Sequence, residues 1–213
     1  MMRALVFDFD GLIIDTESPE FESWQKVYAA HGQELVAQDW VHCIGGIGAM
    51  DPSAELEKLL GRSLDWPPIH DGRLKHHQAL MAEKKALPGV EALMRLARES
   101  GWKVGVASSS TSAWVEGGLE RLGLARYVQT VRSRDRVQNF KPHPEPYLLA
   151  LEDLGAEAAK SFAFEDSRTG VSAAKAAGLT VIAVPNALTK LHDLSHADMI
   201  LDSLEHFSLP QGD

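Results

Sequence analysis

The sequence predicts an α/β fold: an open parallel sheet with helices on both faces, plus an all-helical unit inserted after the first strand. Short apolar runs of strand length recur along the chain, separated after the first by helical patterns. One long stretch, residues 16–87, carries helical signatures and no strand signal. Polar clusters follow four of the apolar runs, at the places where ligands gather in sheets of this kind.

Length sets the frame. The chain has 213 residues, and a typical domain takes roughly 150, so one core carrying one sizeable insertion is expected. Strands are predicted at residues 4–9, 103–107, 127–131, 161–164, 180–184 and 198–201. Val90, Leu93, Met94 and Ala97 lie one helical turn apart before Gly101, and a small-residue helix over 171–177 stops at Gly178. In the insertion, Ser18 and Pro19 read as N-cap and first helical residue, with Phe21, Trp24, Val27 and Tyr28 as the apolar face and Gly32 as the stop. Asp51-Pro52 repeats that opening, with Leu56, Leu59 and Leu60 as the face and Gly61 as the stop. A third helix is placed at about 73–86. The predicted division is therefore a core of residues 1–15 and 88–213 and a helical cap of residues 16–87.

Composition excludes several classes. With 21 Lys+Arg against 30 Asp+Glu, the net charge of -9 argues against broad attraction to nucleic acid or anionic membrane. A single cysteine, Cys43, supports neither an intrachain disulfide nor a metal cluster and fits a reducing compartment. No apolar run has the length of a membrane span, and no signal-like segment precedes the first aspartates. The expectation is a cytoplasmic, monomeric protein with a small-molecule partner.

The chemistry collects at strand ends. In Leu5-Val6-Phe7-Asp8-Phe9-Asp10-Gly11, period-two alternation puts Asp8 and Asp10 on one side at the end of an apolar strand. Two carboxylates brought together ask for a cation, a shared proton or an acid/base role. Ser108-Ser109-Ser110, Lys141-Pro142 and Glu165-Asp166-Ser167 also stand beside predicted strands. Each alone has an ordinary reading as a helix cap, an exposed charge or a turn. In this order and context, together, they point to one composite site.

These residues resemble the motifs of the haloacid dehalogenase-like hydrolase superfamily, in the branch with a helical cap after the first strand, to which β-phosphoglucomutase and phosphoglycolate phosphatase belong. Asp8-Phe9-Asp10-Gly11 with Asp15-Thr16 is similar to the first motif, Ser108 to the second, and Lys141-Pro142 to the third. Glu165-Asp166-Ser167 with Gly170 and Ala173-Ala174 is similar to the fourth, and Ala197-Asp198 to a structural feature before the last strand. The resemblance implies a Rossmann-like core in which Asp8 is the nucleophile and Asp10 the general acid and base. It implies that Lys141 offsets charge and that Gly11, Ser108, Ser109 and Lys141 bind phosphate. It also implies Mg2+ at Asp8, Asp10 and Asp166, with Glu165 acting through water. Hard oxygen ligands suit that ion. Phosphate-monoester hydrolysis is accelerated by up to about 10²¹-fold, whereas one acid/base group gives about 10²–10⁴, so metal and lysine charge are integral to such a mechanism.

Other motifs are set aside. Gly46-Ile47-Gly48 lacks the third glycine of a dinucleotide fingerprint and does not follow a strand, so it reads as a cap loop. The segment 170–174 lacks the closing glycine of a nucleophile elbow. His70, His76 and His77 read as a solvated helix face, and the five tryptophans as core or cap packing. Asp10 argues against carbon–halogen chemistry, because in this family the acid two residues after the nucleophile belongs to phosphoryl transfer. Against a mutase, Glu20 stands where the resemblance has a histidine, and Gly45 and Ala49 where it has phosphate-gripping basic residues. Thr16, Glu20 and Lys75 are the candidate substrate contacts from the cap side. The expected activity is Mg2+-dependent hydrolysis of a small phosphomonoester, a sugar phosphate, phosphoglycolate or nucleotide-like metabolite. The alternatives are a phosphosugar mutase and a non-catalytic protein that binds a phosphometabolite.

Overall fold

A computed structural model describes residues 2–44 and 50–210 of the chain. Six parallel strands form one sheet in the order β3-β2-β1-β4-β5-β6. They are β1 (Ala4–Phe7), β2 (Lys103–Ala107), β3 (Thr130–Arg132), β4 (Phe162–Glu165), β5 (Thr180–Ala183) and β6 (Met199–Ile200). β1 is central because every one of its residues is apolar and fully buried, as a strand covered on both faces requires. Its alternation feeds two cores. Leu5 and Phe7 join Val104, Val106, Phe164 and Ile182 on one face, where Phe7 stacks on Phe164 at 4.8 Å. Ala4 and Val6 join Ala163, Val181 and Ala183 on the other.

The helices cover those faces according to their apolar stripes. α5 (Val90–Glu99) and α6 (Ser112–Arg121) bring Val90, Leu93, Met94, Ala97, Val115 and Leu119 to the first core. α7 (Glu145–Leu154) and α8 (Arg168–Ala176) bring Tyr147, Ala150, Leu151, Val171 and Ala174 to the second. The doubly wound α/β sheet is thus as predicted. The order in which strands are added reverses between β1 and β4, and the crevice beyond the carboxyl ends of those strands is where such sheets bind ligands.

Among the described residues, the stretch 17–83 holds four further helices, α1 (Glu17–Ala30), α2 (Ala37–Trp40), α3 (Pro52–Leu60) and α4 (Trp66–Glu83). They enclose their own core of Trp24, Val27, Tyr28, Leu35, Trp40 and Leu56, which Leu188 joins from the sheet side. The two chain crossings run side by side: Ile14 pairs with Ala86, the Leu87 N–H donates to the Ile13 carbonyl, and Lys84 meets Asp15 at 2.6 Å.

Several local expectations shift. α1 starts before Pro19, because the Asp15 carboxylate takes the Ser18 N–H and so helps satisfy the first turn in place of a Ser18 cap. α4 starts well before residue 73, since Pro67 and Pro68 occupy its first turn, where no amide donor is needed. Asp51 caps α3 through the Ser53 N–H and Gly61 closes it at φ 65°, as expected, yet Leu59 is exposed and the buried face rests on Leu56. The third strand is displaced to Thr130–Arg132 because Tyr127 and Val128 turn back onto Leu124 and Ala125. Gly45, the Gly46-Ile47-Gly48 loop and Ala49 lie outside the described residues. Among the described residues, no helix is long and apolar enough to cross a membrane.

Candidate active site

Asp8 follows β1 directly, and its N–H still pairs with the Phe164 carbonyl of β4, so its carboxyl is fixed at the end of the central strand. Glu165 ends β4 and Asp166 follows it. One oxygen from each of Asp8, Glu165 and Asp166 lies within 4.8 Å of the others, and all three residues are buried. Lys141, in the loop before α7, enters this cluster and donates to Asp8 Oδ1 at 2.7 Å and to Glu165 Oε1 at 2.5 Å. Glu165 is held further by Tyr147 Oη at 2.5 Å and by Ser167 Oγ at 3.2 Å. The structure thus brings Asp8, Lys141, Glu165 and Asp166 to one point from the ends of β1 and β4 and the loop before α7.

The electrostatics of the cluster are unbalanced. Three buried carboxyls face one ammonium. Burial and then the Glu165 charge push the Asp8 carboxyl up to about 7, with Lys141 opposing. Burial, Asp8 and Glu165 raise Asp166 well above the usual carboxylate range. Burial alone would lower Lys141, but the charges of Asp8 and Glu165 raise it, so it stays an ammonium. Asp8 is therefore not freely ionised at neutral pH in the bare site, as a lone carboxylate is. It needs added positive charge, and two uncompensated negative charges on hard oxygen donors fit a divalent cation.

Two glycines make the approach possible. A Cβ on Gly11, at φ +79°, would meet Asp166 Oδ2 at 2.1 Å, and one on Gly170 would meet the Glu165 carboxylate at 2.0 Å. The Gly11 N–H is taken by the Ile14 carbonyl, and its own carbonyl accepts from Asn186 Nδ2, which also donates to Asp166.

Asp10 lies across the cavity. Its Oδ1 accepts from Trp114 Nε1 at 2.8 Å, and its Oδ2 accepts from Ser110 Oγ at 2.7 Å and Ser108 Oγ at 3.3 Å. Ser109 and Ser110, leading into α6, line a cavity of about 230 Å³ together with Asp8, Asp10, Lys141 and Asp166. Above it a wider mouth is bordered by Thr16, Glu17, Glu20, His77 and Arg134. Burial and the charges of Asp10 and Glu20 push Glu17 up to about 7. Thr16 Oγ1 is buried there without a hydrogen-bond partner among the described residues. Glu20 takes Arg73 at 2.7 Å and has His77 Nε2 at 3.4 Å from its other oxygen.

Of the cap-side expectations, Thr16 and Glu20 border the mouth, whereas Lys75 is exposed and pairs with Asp71 at 2.7 Å. The histidines are not a solvated face: His70 stacks on Trp66 at 5.0 Å, and His77 borders the mouth. Trp114 departs from the packing role expected of the tryptophans, being half exposed and bonded to Asp10. Sequence reasoning also missed Tyr147, Asn186 and Glu17. Glu17 carried a usable signal, since it directly follows the Asp15-Thr16 pair.

Comparison with known proteins agrees with the fold. The fold is an open α/β sheet with an acidic cluster at its strand ends and a helical insertion after its first strand. The sequence model for haloacid dehalogenase-like hydrolases matches residues 5–184, and the chain belongs to that family. It is 39% identical over 209 residues to the putative phosphatase YhcW of Bacillus subtilis, covering 98% of this chain and 95% of that protein. It is 33% identical over 186 residues to a phosphorylated carbohydrates phosphatase of Thermotoga maritima, covering 84% and 82%. Among solved structures, a putative β-phosphoglucomutase from Thermotoga maritima superposes with a TM-score of 0.75 at 27% identity, covering 94% of each chain.

Proposed function

We propose that the chain is a phosphatase of small phosphomonoesters that works through an aspartyl-phosphate on Asp8, with Mg2+ as its ion, acting as a cytoplasmic monomer whose residues 16–87 form the cap. The observation that carries this reading is Lys141 clamped between Asp8 and Glu165 beside Asp166 at the carboxyl ends of β1 and β4. Two relatives whose names include phosphatase, spanning most of both chains, support hydrolysis.

Asp8, Asp166 and the Asp10 backbone carbonyl would hold the ion, which when bound supplies positive charge to ionise Asp8 and to offset charge on the phosphoryl oxygens. Glu165, with its oxygens already engaged by Lys141, Tyr147 and Ser167, supports an indirect part, holding Lys141 in place. An Asp8 oxygen attacks phosphorus as the ester P–O bond breaks, and the leaving oxygen takes the Asp10 proton. Water then attacks phosphorus, returns a proton to Asp10, and frees phosphate and Asp8. Ser108, Ser109 and Lys141 steady the phosphate oxygens.

The mouth is mixed in charge and polar. Glu17 and Glu20 sit where the leaving group emerges, and Arg73 is bound by Glu20 and Ser23. A second phosphate would meet the carboxyls of Glu17 and Glu20 and the guanidinium of Arg134, and a mouth of carboxyls beside a cation suits hydroxyl-rich leaving groups such as sugars. A phosphate-release panel of sugar phosphates, phosphoglycolate and nucleotides with Mg2+ tests the proposal. Turnover of at least one ester is expected. Isomerisation of β-glucose 1-phosphate without phosphate release would replace hydrolysis with the mutase reading.

A further inference from the structure

Asp10 has two oxygens in different company. Oδ2 is held by Ser110 and Ser108, hydroxyls that can turn to phosphate oxygens and can accept as well as donate. Oδ1 is held by the indole Nε1 of Trp114, a donor only, at 2.8 Å. Trp114 sits in the first turn of α6, and although its ring is half exposed it is supported on one side. It walls a crevice of about 360 Å³ with Phe9, Ile14, Met81 and Gly117. An exposed tryptophan whose single polar atom is spent on a carboxylate at the reaction centre has no packing explanation for that bond.

We propose that Trp114 is a positioning residue for Asp10, fixing the rotation of its carboxyl so that Oδ2 is the oxygen that exchanges the proton with the leaving group. This inference rests on the phosphatase reading. The carbonyl oxygen of a carboxylic acid is a better acceptor than its hydroxyl oxygen, so an indole N–H on Oδ1 favours the form with the carboxyl proton on Oδ2. When phosphate draws the hydroxyls of Ser108 and Ser110 away, Oδ2 is released while Oδ1 stays anchored. The proton leaves Oδ2 for the ester oxygen as the P–O bond breaks, and the same oxygen accepts a proton from the attacking water afterwards. Without the indole, the carboxyl is free to rotate and to present either oxygen.

The test compares esters that differ in their need for a proton. Nitrophenolate departs with little protonation, whereas an alkoxide departs only with it. Wild type, Trp114→Phe and Trp114→His are assayed on p-nitrophenyl phosphate and on glycerol 3-phosphate, glucose 6-phosphate and fructose 1-phosphate. Trp114→Phe is expected to lower kcat/KM for the best alkyl ester by about tenfold more than for the nitrophenyl ester, a fraction of the factor of about 10²–10⁴ that a whole general acid contributes, because Asp10 itself is kept. KM for inhibition-free binding should change little, and Trp114→His, which keeps a ring N–H, should recover part of the loss. Equal losses on both ester types, or none on the alkyl ester, would overturn the inference alone. Wild-type protein inert toward every ester would overturn the phosphatase reading and this inference with it.

Discussion

Lys141 is clamped between Asp8 and Glu165, at 2.7 and 2.5 Å, with Glu165 sealed from solvent and Asp8 and Lys141 buried at the floor of the cavity. Removing one partner of a buried ion pair leaves the others uncompensated, which costs about 3–5 kcal/mol. Lys141→Met is therefore expected to destabilise the metal-free protein by that order in denaturant unfolding at about pH 7.5 and to abolish turnover. The loss should shrink in acid, where the carboxyls protonate. A variant as stable as wild type at both pH values would contradict the clamp.

The bare acidic cluster gives stability an unusual slope with pH. In the unfolded chain carboxyls ionise near pH 4, whereas folded Asp8 and Glu17 are pushed up to about 7, chiefly by burial. Between those values Asp8 and Glu17, with Asp166 raised as well, hold more protons in the folded chain than in the unfolded one. They outnumber His77, which burial lowers and which acts in the opposite sense, so metal-free stability falls as pH rises through that window. Carboxyls held low, such as Asp135, act only below it. Chelated protein should melt at a lower temperature at about pH 7.5 than at about pH 5.5. Adding Mg2+ at the higher pH should restore the midpoint, because a ligand bound only to the folded state stabilises it. A chelated midpoint that rises over the same interval would contradict the burial of these acids.

Gly170 and Gly117 make a matched pair of substitutions. A Cβ at Gly170 would meet the Glu165 carboxylate at 2.0 Å, while one at Gly117 meets nothing within 4 Å. Gly170→Ala is expected to displace Glu165, and with it Lys141, lowering both the melting temperature and turnover. Gly117→Ala, mid-helix in α6, should instead stabilise by about 0.5–1 kcal/mol through helix propensity. Thermal melts of the two proteins check both directions.

What the sequence made legible was local. Asp8, Asp10 and Glu165-Asp166 stand at or just after strand ends, so a run of apolar residues was enough to place them at one edge of the sheet, and Lys141 was placed only through its motif in the loop before α7. The core helices showed through because positions such as Val90, Leu93, Met94 and Ala97 repeat with the helical period. Residues that reach the site across the fold left no such trace. Tyr147 arrives from the buried face of α7, Asn186 from the loop after β5, and Trp114 from a helix flank that looks like surface. The start of α4 was hidden by two prolines, which break most helices and open this one.

The nucleophile assignment is tested most directly by asking whether phosphate passes through Asp8. Wild-type protein and Asp8→Asn are mixed with a substrate ester and Mg2+, quenched in acid within the turnover time, and digested for mass spectrometry. The account predicts one phosphoryl group on the peptide containing Asp8 in wild type, none in Asp8→Asn, and a fall in turnover of about 10⁴-fold or more in the variant. Turnover retained by Asp8→Asn, or a phosphoryl group found on another residue, would contradict it.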